Sequence, residues 1–239
     1  MIIEGNISVK AALENNKREI EEVIVNKDKD DRDTSYILRL AKERNIKITK
    51  TSREEIDAVA SGKTHGGLIA KVTNRNYESL EDILEIDKPF ITLVEGVEDP
   101  FNLGYILRTL YSSGSDALIL KERSWGDSES VILKSSAGAF EHMNIIMSND
   151  IARDINKIKE NGIKTVCANR KDAKVYTEAD LSRPLLLALG GEMRGLSRDV
   201  LNLMDESIYI PYKNDFKPAL NAASAMAVLA FEVFNQNSK

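Results

Sequence analysis

Cysteine and histidine are scarce in this chain of 239 residues, which has one cysteine and two histidines. A single cysteine, Cys167, cannot form an intramolecular disulfide, and it excludes a metal site built from several cysteines. Its apolar neighbours predict a small buried side chain. With only His65 and His142 available, histidine-based catalytic triads and multi-histidine metal sites are disfavoured. We therefore expect no metal cofactor.

Long apolar runs are also missing, and none reaches the roughly 18 residues that suggest a membrane-spanning helix. The amino terminus has no basic stretch followed by an apolar core, as a secretion signal would. We therefore expect a cytoplasmic protein without a membrane partner. The net charge of -5 argues against a general coat on nucleic acid. Residues 1–75 carry 15 Lys and Arg against 13 Asp and Glu, and the remainder carries 18 against 25, so a local nucleic-acid contact would favour the first third.

Several motifs of nucleotide-dependent enzymes and hydrolases are absent. The sequence has no G-x-G-x-x-G fingerprint, no G-x-x-x-x-G-K-[ST] phosphate loop, no H-E-x-x-H and no G-x-S-x-G. The sequence therefore has none of the motifs that would indicate a dehydrogenase, a nucleoside triphosphatase or an α/β hydrolase. A nucleotide-binding oxidoreductase stays as an alternative, disfavoured by the missing glycine fingerprint.

What is present is an alternation of helical and strand-like apolar patterns, which predicts an α/β fold. The first part has helices at 8–14, 34–44 and 52–60 and strands at 20–25, 46–49 and 67–72. Asp33 or Thr34 is the expected cap of the second helix. A polar stretch with one short helix follows. We expect a first domain at 1–73, a linker at 74–88 and a second domain at 89–239.

The second domain has near-continuous apolar strands separated by helices, which indicates a mainly parallel sheet covered on both faces. The predicted strands are 90–94, 117–120, 144–147, 165–168, 185–189 and 207–210. The predicted helices are 102–113, 128–136, 150–161, 197–204 and 218–236.

Ligands of open parallel sheets bind beyond the carboxyl ends of the strands, and three loops there have unusual composition. The first, 94–104, contains Asn102, an expected helix cap, and leads into a helix that carries Arg108. The second, 189–195, has three glycines and Glu192, and the third runs into an alanine-rich helix. Taken singly, each also has an ordinary reading as a turn or a packed helix.

Taken in order, the three loops resemble the motifs of the SPOUT class, specifically the TrmH (SpoU) family of RNA ribose 2′-O-methyltransferases. The resemblance is carried by Asp99-Pro100-x-Asn102-x-Gly104-x-x-x-Arg108, by Gly190-x-Glu192-x-x-Gly195-Leu196-Ser197, and by Ile210-Pro211 with Leu220-Asn221. The run Ser136-Ala-Gly-Ala139 also fits. The first domain resembles the family's substrate-binding domain, with Thr64-His-Gly-Gly-Leu68 near the usual His-Gln-Gly position.

The resemblance implies an S-adenosylmethionine-dependent RNA methyltransferase with a deep carboxyl-terminal trefoil knot. It also implies an obligate homodimer with the site at its interface, and a substrate that is ribosomal RNA rather than transfer RNA. By carry-over, the cofactor pocket is lined by Leu189, Gly190, Gly191, Ile210, Leu220 and Ala225. The active polar groups are Asn102, Arg108, Glu192 and Asn221. We expect Arg108 to clamp an RNA phosphate and Asn102 and Glu192 to hold it, because a guanidinium stays protonated and is a poor base.

Two positions depart from the family pattern. Ala219 stands where the third motif usually has serine, so a hydroxyl associated with substrate handling is missing. The alternative is therefore an RNA-binding or ribosome-assembly protein that keeps the fold and cofactor pocket with weak or no catalysis. Gly66 follows His65 where glutamine is usual, which weakens the carry-over of an RNA contact to the first domain. An ordinary loop position explains His65 as well as an RNA contact does.

Overall fold

The computed structural model describes residues 1–62, 64–214 and 219–238. Its strands are β1 (Ile2–Glu4), β2 (Ile20–Asn26), β3 (Lys47–Thr51), β4 (Leu68–Val72), β5 (Phe90–Glu95), β6 (Ala117–Lys121), β7 (Asn144–Ser148), β8 (Lys164–Ala168), β9 (Lys174–Val175), β10 (Leu185–Gly190) and β11 (Glu206–Tyr209). Its α-helices are α1 (Asn6–Glu14), α2 (Arg32–Glu43), α3 (Arg53–Val59), α4 (Leu80–Leu84), α5 (Pro100–Ser112), α6 (Glu129–Ser135), α7 (Ala139–His142), α8 (Ile151–Glu160), α9 (Arg198–Leu203) and α10 (Ala222–Asn237).

The chain forms two compact units, and they do not follow a single linear boundary. The first unit contains Met1–Asn76 together with Trp125–His142, and the second contains the other described residues. The end of the first stretch lies within the linker expected at 74–88. Residues 125–142 differ from the expected division, because α6 and α7 pack in the first unit.

The first unit has a four-stranded mixed sheet in the order β1-β4-β2-β3. Strands β2 and β3 are parallel, and β4 is antiparallel to both β1 and β2. The expected cap of α2 at Asp33 or Thr34 is wrong. The helix begins earlier, because Asp31 takes the extended backbone of a cap and its side chain accepts the N–H of Thr34.

The second unit has a seven-stranded sheet in the order β7-β6-β5-β10-β8-β11-β9, and all its pairs are parallel. Strand β10 lies at the centre, and residues 185–189 are buried, which explains their unbroken apolar character. The prediction of an α/β fold with a mainly parallel sheet is confirmed. The trefoil knot stays a prediction.

Two helix starts in the second unit bear on the three loops. Asn102 is not the cap of α5, because Pro100 occupies the first helical position and Asp99 accepts the N–H of Asn102. Asn102 therefore lies in the first turn of the helix. Asn221 caps α10, and its Oδ1 accepts the N–H of Ser224 at 2.8 Å. The start predicted for this last helix, Pro218, lies outside the described residues.

The described residues contain neither a membrane-spanning helix nor a cluster of metal ligands. No helix in this part of the chain is long and apolar enough to cross a bilayer. Nor do three or more His, Cys, Asp or Glu side chains group there as a metal site. Cys167 is fully buried in β8, as expected, and its burial raises the pKa of its thiol.

Candidate active site

A cavity of about 350 Å³ opens at the carboxyl ends of the adjacent strands β10, β8 and β11. Its wall takes residues 189–192 after β10, residues 168–170 after β8 and residues 208–210 after β11. Helix α10 closes one side with small and apolar side chains, namely Ala222, Ala225 and Leu229. The volume lies within the roughly 300–1,000 Å³ of small-molecule sites. The cavity can therefore enclose a ligand of cofactor size.

All six residues expected around the cofactor line this cavity. They come from the second loop, from the end of β11 and from the start of the last helix, and they are Leu189, Gly190, Gly191, Ile210, Leu220 and Ala225. They are separated by up to 36 positions in the sequence. The structure therefore places residues of the second loop, the third loop and the helix that follows it around one cavity.

Two glycines of the second loop are in close contact with neighbouring backbone. A Cβ on Gly190 would lie 2.5 Å from Cα of Gly195 and closer still to the next peptide group. A Cβ on Gly191 would lie 2.6 Å from the carbonyl carbon of Gly96, which follows β5. Any larger residue would push these backbones apart, so glycine is required by the close approach.

Glu95, the last residue of β5, holds the second loop in place. Its carbonyl oxygen accepts the N–H of Gly191 at 2.6 Å. Its carboxylate accepts the N–H of Ser197, the cap of α9, at 2.7 Å. The loop also closes on itself, since Gly195 N–H donates to the carbonyl of Gly191 at 2.9 Å. The cavity wall between β10 and α9 is thus fixed mainly through backbone groups.

The four expected polar groups have different positions. Glu192 lines the cavity, and its exposed carboxylate has no hydrogen-bond partner among the described residues. Asn221 uses its side-chain oxygen to cap α10, one residue from the lining residues Leu220 and Ala222. Asn102 and Arg108 lie on α5, outside the lining, although α5 packs against α10. In the described chain, neither Asn102 nor Glu192 bonds to Arg108.

Several other lining residues were missed in the sequence, and three of them carry polar groups that interact or lie at a strand end. Asn169 and Arg170 follow β8, and Tyr212 follows β11. The Arg170 guanidinium stacks 4.8 Å from the centre of the Tyr212 ring. The Tyr212 hydroxyl accepts the N–H of Leu220 at 2.8 Å. The rule that ligands bind at strand ends could have indicated Asn169 and Arg170, but their loop has no unusual composition.

Comparison with known proteins agrees with this arrangement. The family model for the SpoU rRNA methylase family matches residues 89–231, more than half of the chain. The chain belongs to this family. A second model, for the substrate-binding domain of RNA 2′-O ribose methyltransferases, matches residues 2–78 of this SpoU family member. The predicted family is therefore confirmed.

Individual relatives cover nearly the whole SpoU chain. The 23S rRNA (guanosine-2′-O-)-methyltransferase RlmB of Photorhabdus laumondii is 31% identical, over 99% of this chain and 98% of its own. YacO of Bacillus subtilis, a candidate TrmH family tRNA/rRNA methyltransferase, is 29% identical over 84% of this chain and 82% of its own. The structure of the SpoU methyltransferase AviRb from Streptomyces viridochromogenes with AdoMet has a TM-score of 0.81 at 19% identity, over 99% of this chain and 90% of its own.

The SpoU chain is accordingly an RNA 2′-O-methyltransferase, and S-adenosylmethionine is its methyl donor; both predictions are confirmed. The cavity fits this cofactor. Its apolar wall, formed by Leu189, Ile208 and Leu229 among others, suits a flat base. Gly190 and Gly191 give this wall their backbone, and the space that their side chains would need is occupied by the backbones of Gly195 and Gly96.

Proposed function

We propose that the protein methylates a ribose 2′-hydroxyl of ribosomal RNA and holds S-adenosylmethionine in the cavity at the ends of β8, β10 and β11. The observation that carries this proposal is the glycine-walled cavity with all six expected cofactor residues in its lining. Ribosomal rather than transfer RNA is supported by the full-length similarity to proteins named as 23S rRNA methyltransferases.

Arg108 is the group we propose to bind the RNA. It is exposed on α5, and among the described residues its guanidinium has neither a hydrogen-bond nor an ion-pair partner. A free guanidinium can donate two parallel hydrogen bonds to a phosphate and stabilise the alkoxide that develops on the ribose oxygen. S-adenosylmethionine supplies an already activated methyl group when bound. The protein's remaining tasks are therefore to orient the hydroxyl and to help remove its proton as the methyl group is transferred.

Glu192 and Asn221 are the groups we propose to orient the ribose, with Asn102 in support on α5. Glu192 is the single carboxylate in the described cavity lining, so its oxygens can accept a hydrogen bond from a hydroxyl held there. Asn221 uses its oxygen in the helix cap, and its amide N–H groups remain available as donors. Each role follows from the hydrogen-bond capacity that the fold leaves unused.

We also propose that the protein acts as a homodimer and that α5 and α10 form the contact. Aromatic side chains on these helices are about half exposed, with 54% for Phe101, 51% for Tyr105 and 50% for Phe234. Exposed apolar clusters of this kind favour a protein contact. Arg108 lies on the same helix as Phe101 and Tyr105, so a second copy there would bring partner residues near the active groups.

Methyl transfer from labelled S-adenosylmethionine tests the proposal, with unmodified 23S ribosomal RNA and bulk transfer RNA as acceptors. We expect label in a ribose of the ribosomal RNA. Arg108→Lys should reduce transfer about a hundredfold while cofactor affinity stays unchanged, because lysine cannot form the paired hydrogen bonds. Arg153→Lys, on α8 and outside the cavity lining, is the matched control.

Ala219→Ser separates this proposal from the non-catalytic alternative. Ala219 lines the cavity without a hydroxyl. Transfer by the wild-type protein would end the alternative. Cofactor binding without transfer, together with activity gained by Ala219→Ser, would refute the proposal in favour of an RNA-binding protein.

A further inference from the structure

The first unit contains a separate cavity of about 450 Å³ at the amino end of α1. It is lined by residues 4–8, by residues 64–66 and by two lysines, Lys29 and Lys134. Lys134 comes from α6, within the 125–142 segment that packs in this unit. The cavity therefore combines four separate parts of the chain around one helix end.

The end of α1 presents free backbone donors to this cavity. Gly5 precedes the helix with φ +88°, and no side chain caps it. The first hydrogen bond to the helix start runs from Val9 N–H to the carbonyl of Gly5. The N–H groups of Asn6, Ile7 and Ser8 consequently lack acceptors among the described residues. Such a helix end attracts anions, because its unpaired donors and the helix dipole act together.

Ser8 provides an independent sign of a ligand. Its residue is only 3% exposed, and it lines the same cavity. Its hydroxyl has no hydrogen-bond partner within the described part of the chain. Other buried serines, such as Ser113 and Ser136, bond to backbone carbonyls one turn earlier. The hydroxyl oxygen itself keeps accessible surface in the cavity, so this mostly buried side chain can offer a free donor and acceptor to a ligand there.

Two lysines beside the cavity can supply further donors to an anion. Lys134 Nζ lies 2.5 Å from Glu4 Oε2, and Lys29 Nζ lies 2.6 Å from Asp31 Oδ2. Each ammonium group has three donors, so each keeps some for a ligand. Each lysine is thus paired with one carboxylate, and Glu4 also accepts the N–H groups of Ser61 and Gly62. An anion would therefore be bound through the remaining ammonium and backbone donors and not through an excess of positive charge.

His65 forms part of the wall rather than the binding group. Gly67 N–H donates to its Nδ1 at 3.2 Å, and its Nε2 lies 2.7 Å from Asp57 Oδ1. Both ring nitrogens are therefore occupied, and the ring is fully buried. The histidine fixes the 64–66 loop beside the helix end.

We propose that this cavity binds a backbone phosphodiester of the RNA substrate, through the N–H groups of residues 6–8, the Ser8 hydroxyl and the two lysines. The inference rests on the proposed function and adds a defined phosphate site to it. Recognition there is independent of base identity, because phosphate contacts fix position and register rather than sequence.

Ile7→Glu is the sharpest test. Ile7 is 62% exposed at the helix end, so a carboxylate there suits the free donors and should not reduce the unfolding temperature. The same carboxylate competes with a phosphate. RNA affinity, measured by filter binding with a 23S ribosomal RNA fragment, should fall about tenfold, and the salt slope should decrease by about 0.9. Ser8→Ala should weaken binding in the same direction without lowering the unfolding temperature, because it breaks no hydrogen bond.

Lys10→Gln is the control for charge, because Lys10 is exposed on the same helix outside the cavity lining and the substitution changes the net charge by the same amount. Unchanged RNA affinity in Ile7→Glu, or an equal loss in Lys10→Gln, would overturn the proposal. Titration with inorganic phosphate, followed by the amide NMR signals of residues 6–8, identifies the anion's source. If phosphate shifts these signals saturably and added RNA does not displace the phosphate, the cavity is a site for free phosphate. That result would also overturn the proposal. Methyl transfer by the same wild-type preparation shows whether the proposed function itself fails.

Discussion

Gly191→Ala is a direct test of the cavity wall. The new Cβ would lie 2.6 Å from the Gly96 carbonyl carbon and nearer to its oxygen, whereas real Cβ atoms stay beyond 3.0 Å. The two backbones must therefore separate by at least 0.4 Å at the carbon and by more at the oxygen. The hydrogen bond from Gly191 N–H to Glu95 would stretch with them. Overpacking of this kind costs about 1–3 kcal/mol.

If this energy is lost from the ligand-binding form, affinity for S-adenosylmethionine falls roughly 5- to 150-fold, since 1.4 kcal/mol is about tenfold. Isothermal titration calorimetry measures the affinity, and thermal unfolding measures the stability. Gly162→Ala is the control, because Gly162 has φ +74° with open space around it and lies outside the cavity lining. It should lose stability through backbone strain but keep its affinity. Wild-type affinity in Gly191→Ala would refute the argument from close backbone approach.

Two further substitutions test the site and the first unit. Tyr212→Phe removes the acceptor of the Leu220 N–H and should weaken cofactor binding about two- to tenfold by calorimetry; unchanged affinity would deny Tyr212 a role. The hydrogen bond from Lys47, with two further donors, lowers the pKa of Glu22 to about 2. Its stabilisation is then complete above about pH 4.5 and lost as the pH falls towards 2. Glu22→Gln should lower the unfolding temperature at pH 7 and match the wild type near pH 2, and a pH-independent difference would contradict this.

The sheet of the second unit could be predicted well because its strands are apolar runs bounded by polar turns. Strands β1 and β9 were missed, since three and two residues are too short for a periodic pattern. The caps of α2 and α5 were placed two or three residues late. At both helices several adjacent residues can cap, and only the backbone conformation at Asp31 and Asp99 distinguishes them.

The candidate site could be predicted where composition is unusual and was missed where it depends on strand order. Gly190 and Gly191 attracted attention as a glycine pair, and the structure explains them by backbone contact. Asn169 and Arg170 follow β8, which lies between β10 and β11 in the sheet but before both in the sequence. The rule that ligands bind at strand ends makes these residues candidates, but this order is not sequential, so the sequence does not show that the end of β8 joins the same cavity.

The packing of residues 125–142 in the first unit follows from a buried ion pair that sequence periodicity cannot reveal. Arg18 Nη2 lies 2.8 Å from Glu141 Oε1 and 3.2 Å from Glu129 Oε2, and the Arg18 and Glu141 side chains are fully buried. A buried charge is strongly destabilising without its partner. The segment with Glu129 and Glu141 must therefore fold against Arg18, more than 100 positions earlier. The same packing brings Lys134 to the cavity at α1, so the phosphodiester site that we propose in the first unit depends on a segment from within the methylase part of the chain.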